Sequence, residues 1–277
     1  MIKVIDMDKL FDDYISDFVH QNIGKINAEE IEDSIPQLYE KFGREKLSDL
    51  GNKSPEEFYK GYSPEELLEC LRAHLEEKVP VSDFLCETIQ NEMSNEQALL
   101  NQLNQDLPEE LTLYLMNMLD AMGSKKCANR YLEFITWDYS EPIKELATEL
   151  LCNMADLVKD NIVGQFKDCA EPIKAYLTQV LSYASKDDKV FDILIEEFVK
   201  NQDNIPLYAG YLAKYGDERA LPFLKTAIEG EKINYFDFEE LRFAIEALGG
   251  EYQQERDFSA DKIYQKIKQS KSNSKKV

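Results

Sequence analysis

At 277 residues the chain is long enough for one large domain or two ordinary ones, and with 43% hydrophobic residues it can bury a substantial core. All 54 acidic residues lie at or before Asp261, so the body holds 26 basic residues against 54 acidic, a formal −28, while 262–277 carries six lysines (Lys262, Lys266, Lys268, Lys271, Lys275, Lys276) and no acid. Such a body repels phosphate backbones unless its few cations gather on one face, which argues against nucleic acid as a partner.

The N-terminus, Met1-Ile-Lys-Val-Ile-Asp6, lacks the basic-then-apolar order of a secretory signal, and no stretch approaches the roughly 18 apolar residues of a membrane span, so no membrane association is expected. Gly (11) and Pro (9) are scarce, which favours helices over strands. The five cysteines (Cys70, Cys86, Cys127, Cys152, Cys169) form no CxxC pair and suit free thiols in a reducing compartment, giving an expected cytoplasmic location.

Along the chain, Asp6, Asp8, Asp12, Asp13 and Asp17 run through an apolar stripe of Leu10, Tyr14, Ile15 and Phe18. An EF-hand loop needs glycine at its sixth position and glutamate at its twelfth. Phe11 and Asp17 stand there, so the stretch reads as an acidic helix, with weak divalent-cation binding the lesser alternative. Ser54-Pro-Glu-Glu57 and Ser63-Pro-Glu-Glu66 each write a helix start, with an N-cap serine, proline at N1 and glutamate at N3. Asn27-Ala-Glu-Glu30 and Ser94-Asn-Glu-Gln97 are weaker versions. Apolar residues at three- and four-residue steps predict helices over 7–22, 28–42, 64–77, 82–91, 95–105, 108–122, 125–136, 141–158, 171–184, 187–200, 205–215, 218–229, 236–248 and 259–269. The expected class is therefore all-α.

The pattern also repeats. Glu141-Pro-Ile-Lys144 recurs 30 residues on as Glu171-Pro-Ile-Lys174. Leu119-Asp-Ala-Met-Gly123, Leu151-Cys-Asn-Met-Ala155, Leu181-Ser-Tyr-Ala-Ser185 and Leu212-Ala-Lys-Tyr-Gly216 share a leucine, an apolar residue three on and then a small one, as helix ends do. A period near 30 residues with two helices per unit marks a solenoid.

Tyr215-Gly-Asp-Glu-Arg-Ala-Leu-Pro-Phe-Leu224 resembles the first helix of a HEAT-like repeat, and Leu241-Arg-Phe-Ala-Ile-Glu-Ala-Leu-Gly249 resembles the second, with its Ala-Leu-Gly ending. Asp187-Asp-Lys-Val-Phe-Asp-Ile-Leu194 resembles another first helix. The resemblance is good over 205–250, fair over 108–204 and poor before about 105. It implies an α-solenoid of stacked antiparallel helical hairpins over 106–258. Before it, 1–105 forms a helical N-terminal region, possible divergent repeats. After it come a capping helix over 259–269, with Phe258 and Ile263 inward, and a disordered basic tail over 270–277. In such arrays the second helices (here 108–122, 141–158, 171–184, 205–215 and 236–248) usually line the concave side.

No residue reads as catalytic, cofactor-binding or metal-ligating. His20 and His74 are lone histidines on surface-type helices, and neither GxGxxG, a P-loop, GxSxG nor HExxH occurs. Cys152 and Cys169 read as core residues, Gly249-Gly250 as a helix end, and Tyr208, Tyr211 and Tyr215 as a core stripe. The partner-binding candidates are Trp137 and Tyr139 in the aromatic loop Thr136–Ser140, and Lys144, Lys174 and Arg242, which with Lys214 would form a cationic stripe on second helices. The competing readings are that Trp137 plugs a seam and that each cation offsets a neighbouring acid, as Lys144 with Glu149.

The expected function is a non-enzymatic scaffold that holds a protein or peptide, with a basic segment, on an acidic concave surface and uses no cofactor. One alternative is an acidic decoy that occupies the nucleic-acid site of a basic protein. The other, implied by resemblance, is a HEAT-like enzyme such as an alkylpurine DNA glycosylase, which the charge disfavours.

Overall fold

The computed structural model describes residues 3–22 and 28–273. The cap signal at Asn27 and the tail residues 274–277 lie outside the described residues. The described residues form helices and loops, with one isolated antiparallel bridge between Leu47 and Lys53. None of these helices is long and apolar enough to cross a membrane. The chain divides into two compact units, Met1–Cys127 and Ala128–Val277.

The first unit contains α1 (Met7–Gln21), α2 (Ala28–Arg44), α3 (Pro55–Phe58), α4 (Pro64–Glu77), α5 (Asp83–Gln90), α6 (Glu96–Leu103) and α7 (Glu109–Ala121). Asp6 caps α1 by accepting the Lys9 amide at 2.9 Å, so this aspartate serves the helix end. At α4 the capping box is complete: Ser63 Oγ accepts from the Glu66 amide at 3.3 Å and Glu66 Oε2 accepts from the Ser63 amide at 2.7 Å. Ser63→Ala should cost about 1 kcal/mol in a chemical-denaturation midpoint. A cost near zero would show that tertiary packing alone sets this helix start. Helix α4 packs on α5, α6 and α7, and α7 also packs on α5 and α6. The boundary therefore falls after Cys127 rather than after residue 105, because α7 closes this core.

The second unit contains α8 (Ala128–Thr136), α9 (Glu141–Cys152), α10 (Ala155–Gln165), α11 (Glu171–Leu181), α12 (Asp188–Lys200), α13 (Ile205–Tyr215), α14 (Leu221–Ile228), α15 (Tyr235–Ala247) and α16 (Lys262–Asn273). The repeated end motifs sit at the C-termini of α9, α11 and α13, and the Leu119 motif ends α7 in the first unit. The stretch 141–158 is two helices, not one. It breaks at Asn153–Met154, where Met154 leaves helical backbone at φ −129° and ψ 16°. The apolar stripe crosses this break without proline or glycine, so periodicity alone does not reveal it. The two Glu-Pro-Ile-Lys segments start α9 and α11, each with proline in the first turn.

Helix α11 packs on α9 and α13, and α13 packs on α15. Helix α8 packs on α9 and α10, and α12 on α10, α11 and α13. Between α9 and α11, Glu141 near one start meets Tyr176, and Cys152 at one end meets Gln179 near the other end. Gln179 in turn lies 3.4 Å from Tyr211 of α13, and further along both elements Lys214 lies 4.3 Å over the Tyr183 ring. These three helices therefore run in the same direction. Leu151, Leu177, Val180, Leu181, Leu212, Leu241 and Ile245 are fully buried between them and their partners. Each stabilises the unit by about 1.5–3 kcal/mol relative to exposure.

Three glycines have physical reasons. Gly216 ends α13 in the left-handed region at φ 74°, its amide donating to Leu212 O. At the end of α15, Gly249 (φ 77°) donates to Glu246 O and Gly250 to Ile245 O, a Schellman ending. A Cβ on Gly250 would stand 2.7 Å from Leu221, so this residue also permits close packing on α14. Beyond it, Phe258 is buried against Tyr235 and Phe238, as expected for a capping region. Ile263, however, is exposed, and Tyr264 is the α16 residue that packs inward on Tyr235. Helix α16 continues through Asn273, past the expected start of the tail at 270.

Candidate protein-binding face

The five sequence candidates differ in exposure and in their partners. Trp137 is 58% exposed, so its ring does not plug a seam. Tyr139 packs edge-on against Phe134, and its hydroxyl accepts from Arg130 Nη2 at 2.9 Å. Arg130 also sits over both rings, which fixes Tyr139 as a structural part of the α8–α9 corner. Lys144 and Lys174 occupy equivalent places on α9 and α11, on the same side as the buried Ala147 and Leu151 or Leu177 and Leu181. The Lys174 side chain is only 15% exposed, ion-paired with Glu171 at 3.2 Å and placed over the Phe166 ring. Arg242 pairs with Glu239 at 2.6 Å and lines a cavity on one flank of α15. The offsetting acids are thus Glu171 and Glu239, each three residues earlier on the same helix.

The outward side of α9, α11, α13 and α15 is built, Lys214 apart, from other residues. On α9 it presents Glu145 and Glu149, and on α11 Tyr176, Gln179 and then Tyr183 just past its end. On α13 it presents Leu207, Gly210 and Lys214, and on α15 Phe236, Glu240, Phe243 and Ala247. Phe236 and Phe243 stand two turns apart, opposite the buried Leu241, Ala244 and Ile245, and are 48% and 66% exposed. The signal was present in the sequence as a second apolar pair on a helix that already has a complete core stripe. Single exposed apolar residues need no explanation, but several large ones on one side of adjacent helices do.

A hydrogen-bonded seam holds this side together. Glu141 accepts from the Tyr176 hydroxyl between α9 and α11. That bond, together with burial, pushes the Tyr176 phenol up to about 12. Cys152 and Gln179 meet between the same helices, and burial pushes the thiol up to about 11, which leaves it a poor nucleophile near neutrality. Tyr211 bridges to Gln179 from α13, and burial raises its phenol to about 12. Lys214 lies 4.3 Å over the Tyr183 ring.

The seam gives a pH prediction. Both phenols keep their protons in the folded chain over a window in which the unfolded chain, with tyrosines near 10, has lost them. The folded state therefore binds more protons there, and stability falls as pH rises from about 10 to about 12. Urea midpoints should drop over this window, and the drop should shrink in Tyr176→Phe/Tyr211→Phe. An unchanged drop in that variant would place the sensitivity elsewhere.

The other sequence candidates for chemistry have structural roles. His74 is fully buried rather than solvated, with Nδ1 2.8 Å from Cys70 O and Nε2 3.1 Å from Ile5 O. His20 Nδ1 lies 2.8 Å from Ser16 O on its own helix. Tyr208 and Tyr215 are buried, while Tyr211 is half-buried. Comparison with protein-family models, curated proteins and solved structures finds no match to this chain.

Proposed function

We propose that the second unit is a HEAT-like solenoid segment that serves as a non-enzymatic protein-binding scaffold, with the outward side of α11, α13 and α15 as its contact face. The carrying observation is the exposure of Tyr183, Leu207, Phe236 and Phe243 on or just past the alternate helices α11, α13 and α15 of a strongly acidic chain. Aromatic anchors supply most of the energy of a protein contact, and surrounding charge selects the partner and speeds encounter. Glu145, Glu149, Glu240 and Glu246 border the apolar residues, so the partner that fits is a basic segment with aliphatic side chains along one face. The free thiols of Cys70, Cys86, Cys127, Cys152 and Cys169 support a reducing, cytoplasmic setting for this activity. On this reading Trp137 lies outside the contact face, and Lys174 and Arg242 are ion-paired within their own helices.

The test uses two designed amphipathic helical peptides of equal length, one of leucine and lysine and one of leucine and glutamate, titrated by fluorescence anisotropy. The lysine peptide should bind, more weakly at ~0.5 M salt, where screening lengths fall to a few ångströms. Equal binding of both peptides, or binding of neither, contradicts the proposal.

A further inference from the structure

After α15 the chain turns at Gly249–Gly250 and folds back along the helix's flank, and α16 packs on the same helix. Between these elements lies a half-open cavity of about 430 Å³ lined by five aromatic side chains. The rings form a continuous row. Tyr264 meets Tyr235 at 5.0 Å between centroids and 65° between planes, and Tyr235 meets Phe258 at 5.4 Å and 74°. Phe258 meets Phe238 at 5.1 Å and 59°, and Phe238 meets Tyr252 at 5.9 Å and 72°. Phe238 and Phe258 are buried, while Tyr235, Tyr252 and Tyr264 keep part of their surface open. The cavity lies on a different flank of α15 from Phe236 and Phe243.

The charged groups of the lining are three carboxylates, Glu239, Glu255 and Asp257, against two guanidiniums, Arg242 and Arg256. Arg242 is held by Glu239 at 2.6 Å, which leaves Glu255 and Asp257 against Arg256. The chain as a whole, at −22, adds a negative field. Such a lining repels anions and favours a cation. The rings select among cations. A primary ammonium is compact and strongly hydrated, whereas a quaternary ammonium carries its charge behind methyl groups, sheds water at lower cost and is drawn to the negative faces of tyrosine and phenylalanine. One ring of the row already faces an ammonium: Lys268 Nζ stands 5.9 Å over Tyr264, at the outer limit of such contacts.

We propose that this cavity binds a quaternary ammonium group, the trimethylammonium of a small molecule or of a methylated lysine side chain. Tyr235, Tyr252 and Tyr264 supply the ring surfaces, and Glu255 and Asp257 supply the counter-charge at the rim.

Isothermal titration of the full chain tests this with choline and with N-acetyl-trimethyllysine amide, each beside the carbon isostere in which tert-butyl replaces trimethylammonium. At least one of the two cations should bind about tenfold or more tightly than its isostere, and the tighter of the two identifies the source of the group. Tyr252→Leu/Tyr264→Leu should bring the cation's affinity close to that of its isostere, while Tyr252→Phe/Tyr264→Phe, which keeps both ring faces, should stay within about twofold of the parent. A pair of cations that bind no better than their isosteres, or an undiminished affinity in the leucine variant, overturns the proposal. None of these outcomes depends on the Lys/Leu peptide, so this site stands or falls apart from the protein-binding face.

Discussion

Replacing Phe236 and Phe243 together with serine is expected to weaken binding of the Lys/Leu peptide by about tenfold or more, because two aromatic anchors are removed from the contact. The substitution leaves the formal charge of −22 unchanged, so a loss cannot be assigned to weaker long-range attraction. Both side chains project from the side of α15 opposite Leu241, Ala244 and Ile245, so the helix keeps its core and its melting temperature should move little. Charge-only binding predicts the opposite result: unchanged affinity in the double variant, and a large loss at high salt. Trp137→Ala, away from the face, should change affinity less than the double variant does.

His74→Ala is expected to destabilise the first unit by about 3–5 kcal/mol. The ring is fully buried on α4 and faces two backbone carbonyls: Cys70 O within its own helix and Ile5 O of the segment leading into α1. Alanine removes both partners and opens a cavity beside Cys70 and Leu71, while Ile5 O loses its buried partner. Two readouts separate the contributions. Global stability measured by urea reports the cavity, and amide exchange in residues 5–10 reports release of the entry to α1. His74→Gln offers one donor in place of the ring and should recover part of the exchange protection. Protection equal to that of the parent in His74→Ala would show that the Ile5 contact does not anchor the segment.

The helix starts were written plainly in the sequence because they depend on short-range chemistry. Ser63 and Glu66 meet within one turn, and Pro142 and Pro172 occupy positions where no amide is needed. The small residues of the repeated end motifs were equally local, and they mark the ends of α7, α9, α11 and α13. The break between α9 and α10 was hidden because Asn153 and Met154 keep the apolar rhythm while the backbone turns. For the candidate site, exposure of Trp137 followed from its place in a loop, but the roles of Lys144, Lys174 and Arg242 did not follow from their being cations on the expected second helices. A lysine on the packed side of a helix can lay its stem along apolar neighbours and pair at the edge, as Lys174 does over Phe166 with Glu171. Phe236 and Phe243 were legible in principle, since a seven-residue spacing opposite a complete core stripe marks a second apolar face.

The most direct test of the protein-binding account is hydroxyl-radical footprinting of the full chain with and without saturating Lys/Leu peptide, read by mass spectrometry. Tyr183, Phe236 and Phe243 should be oxidised in the free protein and protected in the complex, with exposed Val199 and Phe223 on α12 and α14 unchanged. Protection of Val199 and Phe223 with no change at Phe236 and Phe243 would contradict the account and place the contact on the other helices of the unit.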